Sequence, residues 1–373
     1  MSVSKAVFQS GAPVLAVCGF SGSGKTTLLE AVIPKLVERG LAIAVVKHDA
    51  HGFEVDKPGK DSDRFFRAGA TISLSGPGQQ FERRAANAAL SLNATLARFG
   101  CEHDLVLVEG HKDIALPKLW LGSAEQPDAP EGVTNILQTL RWDTDRVGAL
   151  MEFLDKWLKP AWTERPLYGG VLVGGASSRM GSAKQLMLFG GRALGEIAGD
   201  ALSTALGDGR SVAIGAGALP SALEGYTRLP DPPDFGGPAA ALIAAHRWYP
   251  EAAWIVAACD HPWLRAEHIT WLAAQRQPGR WAVIPRQRDG HPYPTLALYE
   301  PQALEALERK VREDVTHNAR PAMLLELSRT LLLDVPVELM DGWKNVNTPE
   351  ELRAEEIRLA APSKLATRSE RGQ

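Results

Sequence analysis

Two glycine-rich segments of this chain carry the residue types and spacing of phosphate-binding loops. The first, Gly19–Thr26, has the spacing Gly-x-x-x-x-Gly-Lys-Thr. Its glycines let backbone N–H groups turn toward an anion, Lys25 can reach the β- and γ-phosphates, and the Thr26 hydroxyl can bind Mg²⁺. The second, Gly174–Lys184, has glycines and two basic residues but no Lys-Thr ending. We therefore expect two nucleotide-handling domains in one chain.

The elements around the first loop predict an α/β domain. A strand at Val14–Cys18 leads into the loop, and a helix at Thr26–Glu38 follows it, which Pro34 is expected to bend or shorten. The other predicted elements are strands Ala42–Lys47, Asp104–Val108 and Asn135–Leu140 and the amphipathic helix Arg146–Leu158. Continuous apolar strands that alternate with helices indicate a parallel sheet covered on both faces.

The same pattern restarts after a short polar stretch, Lys159–Pro166, which predicts a domain boundary. A strand at Tyr168–Val173 leads into the second loop. The other predicted elements are helices Ala193–Leu206 and Gly237–Trp248, strands Ser211–Ile214, Ala253–Ala258 and Trp281–Pro285, and a last helix that Thr348 caps and Pro349 begins. We expect domains at 1–160 and 166–359 and a flexible tail at 360–373.

Composition narrows the class of protein. The chain has 373 residues, 45% of them apolar, which is enough for two cores, and a formal charge of −3 that gives no footprint for nucleic acid or a membrane surface. Cys18, Cys101 and Cys259 are too few and too scattered for a disulfide framework, so we expect reduced thiols in a cytoplasmic protein. Met1–Ala12 does not have the pattern of a signal peptide, and no apolar run is long enough to span a membrane.

Polar residues at predicted strand ends of the first half are candidate metal ligands. Glu109 follows one strand and could orient a Mg²⁺-bound water, and Asp49 stands at the end of another with the same possibility. Either carboxylate could instead form a salt bridge in a loop. His48 and His51 could form a metal pair, although a polar loop beside the nucleotide is the preferred interpretation.

Residues 13–158 resemble the molybdopterin-guanine dinucleotide biosynthesis adaptor family (MobB type). The matching segments are Gly22–Leu29, Val46–Asp49, Val55–Ser62, Arg67–Ala70 and Leu107–Lys112. The resemblance implies a GTP-binding adaptor domain with a P-loop NTPase-like fold that self-associates and works with a guanylyltransferase. It assigns nucleotide binding to Gly22, Ser23, Gly24, Lys25, Thr26 and Thr27, and Mg²⁺ binding to Thr26 and Glu109.

Residues 167–359 resemble the molybdenum cofactor guanylyltransferases (MobA type), which have a Rossmann-like nucleotidyltransferase fold. The matching segments are the second loop, Asp231 with Gly236–Pro238, Cys259–Pro262, Pro294–Tyr299 and Asn345–Leu352. In this fold Arg179 and Lys184 would neutralise phosphates, and Asp260, at the end of a buried strand, would bind Mg²⁺. A helix cap or a salt bridge is the alternative role for Asp260.

The second resemblance implies transfer of GMP from GTP to molybdopterin, usually carrying molybdenum, with release of pyrophosphate. It makes Arg179, Lys184 and Asp260 catalytic and implies molybdoenzymes and molybdenum-insertion proteins as partners. The implied substrate-binding residues are Leu172, Val173, Gly174, Gly175, Lys184, Asp231, Asn345 and Asn347. The two asparagines could hold the pterin or the ribose, or could only stabilise their loop.

The chain departs from this second pattern at three positions. The family loop often has Ala and Asp where this chain has Val173 and Ala183, and an Asn near the ribose where it has Gly215. A molybdopterin cytidylyltransferase that uses CTP is the nearest alternative, favoured by Gly290–Pro292 but opposed by the two asparagines of Asn345–Asn347. A non-catalytic GTP-binding adaptor that delivers cofactor and a sugar-nucleotide synthase are the others.

Overall fold

The computed structural model describes residues 10–48, 52, 54–85, 90–174, 183–235, 239–314, 322–326 and 329–360. The chain divides into two compact units, Met1–Lys156 and Trp157–Gln373. Each unit is described by itself below. No helix within these ranges is long and apolar enough to cross a membrane.

A parallel sheet forms the centre of the first unit. The described strands of this unit are β1 Val14–Gly19, β2 Ile43–Lys47, β3 Ile72–Gly76, β4 Gln79–Arg83, β5 Leu105–Glu109, β6 Lys118–Leu121 and β7 Ile136–Leu140, and its described helices are α1 Lys25–Glu38, α2 Asp61–Arg67, α3 Leu92–Gly100 and the first part of α4 Arg146–Thr163, whose residues from Trp157 on belong to the second unit. The sheet order is β2-β5-β1-β6-β7, and all of these neighbours are parallel. The apolar residues of β1 are buried between β5 and β6, so the first loop leaves from the middle of the sheet.

The structure corrects several expectations for this unit. Helix α1 continues through Pro34 to Glu38, because its buried face, which includes Val32 and Leu36, packs on both sides of the proline. Helix α4 likewise passes through Pro160 and ends at Thr163, beyond the expected end at Leu158. The sequence reading also missed α2, α3, β6 and the antiparallel hairpin of β3 and β4.

A mixed sheet of seven described strands forms the centre of the second unit. The described strands of this unit are β8 Leu167–Leu172, β9 Leu188–Phe189, β10 Arg192–Ala193, β11 Ser211–Ile214, β12 Thr227–Leu229, β13 Ala253–Ala258, β14 Ala282–Arg286, β15 Leu296–Tyr299 and β16 Thr330–Asp334, and its described helices are α5 Leu194–Leu206, α6 Ala240–Trp248, α7 Ala266–Ala273, α8 Pro301–Glu313, α9 Ala322–Leu325 and α10 Pro349–Ala360. The order of the seven-stranded sheet is β12-β11-β8-β13-β15-β14-β16, and β9 and β10 form a separate antiparallel pair. From β8 the chain builds β11 and β12 on one side and then β13 on the other. This reversal opens a crevice at the carboxyl ends of the central strands, where open α/β sheets bind ligands.

Unlike the sheet of the first unit, the sheet of the second unit contains antiparallel neighbours. Strand β15 is antiparallel to both β13 and β14. The connection from β14 to β15 is a short turn in which Gly290 has a φ of 86° and Gln287 N donates to His291 O. A connection this short joins antiparallel neighbours, because a parallel crossover needs a dozen or more residues.

A buried polar cluster lies at the start of the second unit. Glu300 is fully buried and accepts hydrogen bonds from Trp162 Nε1 at 3.0 Å, Arg165 Nη2 at 3.0 Å and Arg276 Nε at 2.9 Å. The Arg165 guanidinium also lies 3.7 Å from the centre of a Trp162 ring. These four residues, called the Glu300 cluster below, all belong to the second unit and attach its first residues to its sheet.

Candidate functional site

The first phosphate loop has the backbone that its glycines predict. Gly22 and Gly24 have φ values of 75° and 89°, a region that favours glycine. Helix α1 begins at Lys25, so the N–H groups of its first turn face the loop and favour an anion there. The Lys25 ammonium donates to Gly19 O at 3.1 Å and Phe20 O at 2.8 Å. The lysine is therefore held over the loop by groups that a phosphate can replace.

Two predicted metal ligands of the first unit meet beside this loop. Thr26 Oγ1 donates to Glu109 Oε1 at 3.0 Å, and Lys47 Nζ lies 3.3 Å from the same oxygen. Glu109 is the last residue of β5, and its side chain is 11% exposed. A hydroxyl and a carboxylate at this distance are oxygen ligands of the kind that Mg²⁺ prefers, so these residues fit a nucleotide-bound Mg²⁺.

Some of the other residues predicted for the first site lie in the described part of the chain and some do not. Ser23 is buried in the loop and Thr27 is exposed on the first turn of α1. Asp49 and His51 lie outside the described residues. The His48 ring centre lies 5.5 Å from that of His111. The pKa of His111 is lowered, mainly by its burial and to a smaller extent by the charge of His48.

The sequence did not reveal Arg146, whose guanidinium holds the backbone of the first loop. Its Nη1 donates to Ser23 O at 2.7 Å and its Nε to Arg141 O at 2.9 Å, and Nη2 donates to Gly122 O. One guanidinium thus joins the loop to the ends of β6 and β7. No local motif announces this contact, because Ser23 and Arg146 are 123 positions apart.

The second loop leaves the sheet at the crevice. Leu172 ends β8, Val173 N donates to Ile214 O at 2.8 Å, and Gly174 has a φ of 143°. Gly175 and Arg179, both predicted to contact phosphates, lie outside the described residues. Their roles stay predictions.

Three segments of the second unit that are distant along the chain meet at Lys184. Its Nζ donates to Asn347 Oδ1 at 3.1 Å and to Val346 O at 3.2 Å, and it lies 3.5 Å from Asp260 Oδ2. Val346 N donates to Asp260 O at 2.8 Å, which joins the segment before α10 to the end of β13. The structure therefore gathers three predicted site residues at one edge of the crevice.

Asp260 has an oxygen suited to a cation. Its Oδ1 is buried and has no hydrogen-bond partner among the described residues, and His261 Nε2 is 3.3 Å away. Burial lowers the pKa of His261, which favours the neutral ring. Within the described ranges no three His, Cys, Asp or Glu side chains are grouped to hold a metal. Mg²⁺ commonly binds through one or two carboxylates and substrate phosphates, so Asp260 fits it.

The remaining predicted residues lie around the same crevice. Asp231 is exposed two positions beyond the end of β12, and Asn345 is partly buried next to Val346. Thr348 Oγ1 accepts from Glu351 N at 3.2 Å, which confirms the predicted cap of α10. The contacts of Asp231 and Asn345 with a nucleotide or pterin stay predictions.

Two further residues show how the crevice is built. Gln185, missed from the sequence, is buried, and its Nε2 donates to Ala218 O at 2.9 Å, so it holds the segment after β11. Cys259 precedes Asp260 and donates to Leu172 O at 3.3 Å. Burial raises the pKa of the Cys259 thiol, which keeps it protonated.

Fold and sites define a nucleotide-binding P-loop unit followed by a nucleotidyltransferase unit. Family models match residues 14–138 to molybdopterin guanine dinucleotide synthesis protein B and residues 169–328 to the MobA-like NTP transferase domain. The molybdopterin-guanine dinucleotide biosynthesis adapter protein of Haemophilus influenzae is 34% identical over 185 residues, which cover 41% of this chain and 94% of that protein. The chain belongs to this adapter family through its first unit and carries a MobA-like transferase domain in addition.

Two other proteins are each similar to about half of this chain. The molybdenum cofactor biosynthesis bifunctional protein of Synechocystis is 30% identical over 190 residues, or 51% of this chain and 53% of that protein. The crystal structure of molybdopterin-guanine dinucleotide biosynthesis protein A from Archaeoglobus fulgidus has 25% identity and a TM-score of 0.40, and covers 52% of this chain and 98% of that chain. The bifunctional relative agrees with the fusion that the sequence indicated.

Proposed function

We propose that the second unit transfers GMP from GTP to molybdopterin, which forms molybdopterin guanine dinucleotide and releases pyrophosphate. The observation that carries this proposal is the meeting of Lys184, Asp260 and Asn347 at the crevice. A cation and a carboxylate there suit a reaction between two phosphate groups, for which neutralising charge is the main task. The transferase family match and the names of the relatives support molybdopterin and GTP as the substrates.

The terminal phosphate of molybdopterin would attack the α-phosphorus of GTP in line. The new bond joins that phosphate oxygen to the α-phosphorus, and the bond from the α-phosphorus to the bridging oxygen breaks, so that pyrophosphate leaves. Mg²⁺ held by Asp260 would supply charge neutralisation on phosphate oxygens. Lys184 and Arg179 would stabilise the negative charge that develops on the leaving pyrophosphate. Asn347, fixed by Lys184, would orient the acceptor or the ribose.

The first unit would bind a second GTP at Gly19–Thr26, with Mg²⁺ on Thr26 and Glu109, and serve as the accessory adaptor. We extend the proposal to delivery of the product to molybdoenzymes or molybdenum-insertion proteins. Self-association through this unit is supported by the exposed apolar side chains of Phe65 on α2 and Leu74 on β3. Cys18 and Cys259 are buried free thiols, which supports a reducing cytoplasm as the compartment.

The direct test incubates the purified protein with molybdopterin, molybdate, Mg²⁺ and either GTP or CTP, and identifies the dinucleotide by mass spectrometry. We expect the guanine product with GTP and none with CTP. A cytosine product alone would replace the guanylyltransferase with a cytidylyltransferase, and no product with either nucleotide would leave the non-catalytic adaptor.

Two variants assign the sites. Asp260→Asn should abolish transfer and keep GTP binding at the first loop, and Asp334→Asn, an exposed carboxylate on β16, is its control. Lys25→Met should remove GTP binding from the first unit and keep transfer, with the exposed Lys35→Met as control. Normal transfer by Asp260→Asn would contradict the metal assignment, and complete loss of transfer in Lys25→Met would contradict an accessory role for the first site.

A further inference from the structure

The segment after β11 forms a wall of the crevice that carries no side chain at two positions. Gly215 has a φ of 117°, and a Cβ there would lie 2.1 Å from Val173 O. A Cβ at Gly217 would lie 2.9 Å from Gly174 N and 2.5 Å from Gln185 Nε2. The segment therefore packs its backbone directly against the start of the second phosphate loop. An Asn side chain at position 215, which could contact a nucleoside, does not fit this backbone.

Arg228 places a charged group beside this bare wall. It lies on β12, and its Nε donates to Gly215 O at 3.1 Å while Nη2 donates to Gly217 O. Arginine has five N–H donors in a planar fork, and among the described residues these two carbonyls are the acceptors. The Nη1 edge stays available to a ligand, and Arg228 is exposed. A rigid donor edge thus stands next to Gly217, whose N donates to Val173 O at 3.1 Å.

Such an edge distinguishes the two nucleotides that the sequence left open. The edge of guanine opposite its pairing amino group has two adjacent acceptors, O6 and N7, to which a guanidinium can donate. In free cytosine the acceptors N3 and O2 lie on the pairing edge, and a cytosine held in the same orientation presents its N4 amino group, a donor, to the guanidinium. We propose that Arg228 donates to O6 and N7 of the base of the nucleotide bound at the second loop and so selects guanine over cytosine. This inference rests on the proposed function, because it takes that nucleotide to be a substrate of the second unit.

Base analogues distinguish recognition of the base by Arg228 from a purely structural role of this residue. The background is full-length Lys25→Met, so that the first loop does not contribute, and the variant is Arg228→Met, which keeps most of the aliphatic stem. Equilibrium binding is measured for GTP, CTP, 7-deaza-GTP, which lacks N7, and 2-aminopurine riboside triphosphate, which lacks O6. Arg210→Met, an exposed arginine just before the opposite end of β11, is the matched control. Thermal unfolding of each variant checks that it is folded.

We expect the background protein to bind GTP more tightly than CTP and than either purine analogue, and the loss for each analogue, which lacks one of the two acceptors, should not exceed the roughly 5- to 150-fold of a whole bidentate arginine–guanine pair. Arg228→Met should lose this preference and bind GTP and the analogues alike, and Arg210→Met should keep it. If Arg228→Met weakens all four nucleotides equally, or none, the inference is wrong and Arg228 only holds the wall. Failure of the proposed function looks different, because GTP preference without any dinucleotide would refute transfer and leave base selection standing.

Discussion

Replacing Glu300 with glutamine should destabilise the second unit strongly, although the change is nearly isosteric. Glu300 is fully buried and is the shared carboxylate partner of Arg165 and Arg276, whose side chains are 7% and 3% exposed. Burial alone raises the pKa of Glu300, but the charges of Arg276 and Arg165 outweigh it and hold the pKa below its ordinary value. Glu300→Gln removes the carboxylate that these two buried guanidinium groups share.

Removing one partner from a buried ion pair typically costs about 3–5 kcal/mol, because the remaining charge stays desolvated. For a unit of this size each kcal/mol lowers the melting temperature by about 2–4 °C. The melting temperature of the second unit should therefore fall by roughly 6–20 °C. The matched control is Asp334→Asn, which breaks the exposed pair with Arg286 and should cost about 0–1 kcal/mol.

Differential scanning calorimetry of the full chain gives the assay. The transition whose rise in melting temperature with GTP is lost in Lys25→Met belongs to the first unit, and Glu300→Gln should lower only the other transition. A shift in Glu300→Gln no larger than that in Asp334→Asn would refute the reasoning, because the buried charges would then not need their carboxylate. An equal fall in both transitions would show that the cluster does not act on the second unit alone.

Three further predictions concern the boundary, pH and Lys184. A fragment that begins at Trp157 should fold, whereas one that begins at Leu167 should not, because it lacks two donors to Glu300; circular dichroism of the two fragments decides. Because the folded-state pKa of Glu300 is lowered, its stabilisation is present above the ordinary glutamate pKa of about 4.3 and lost as pH falls, so the melting temperature of Glu300→Gln should vary less than wild type below that pH. Lys184→Met removes an ammonium 3.5 Å from Asp260, so Mn²⁺ titrated by electron paramagnetic resonance should bind more tightly while transfer falls; weaker Mn²⁺ binding would contradict the placement of the cation at Asp260.

The first site could be predicted from sequence because its parts are close together along the chain. The φ values of Gly22 and Gly24 and the start of α1 at Lys25 follow from one eight-residue motif. The position of Glu109 could be predicted as well, because a carboxylate that follows a buried apolar strand must lie where that strand ends. Arg146 was missed because its contact with Ser23 depends on how β6 and β7 end.

The second site could be predicted only in part, because tertiary packing assembles it. Asp260 and Asn347 were named from their motifs, but their approach to Lys184 depends on the order of strands in the sheet. Strand β15 was missed because four buried residues do not reveal a period or a direction. Arg228 carries no motif, and its contact with Gly215 follows from the pairing of β11 with β12.

The two loops differ in what satisfies their lysine, and this difference suits different tasks. Lys25 is held by carbonyl oxygens of its own loop, which are neutral and local, so a phosphate can take their place without disturbing distant segments. Lys184 is held by Asn347 and lies near the carboxylate of Asp260, groups that belong to the ends of other elements. A phosphate that attracted Lys184 would therefore act on Asp260 and on the segment before α10 at the same time. The arrangement at Lys25 suits binding alone, whereas the arrangement at Lys184 would couple a nucleotide to groups that could position an acceptor and a cation.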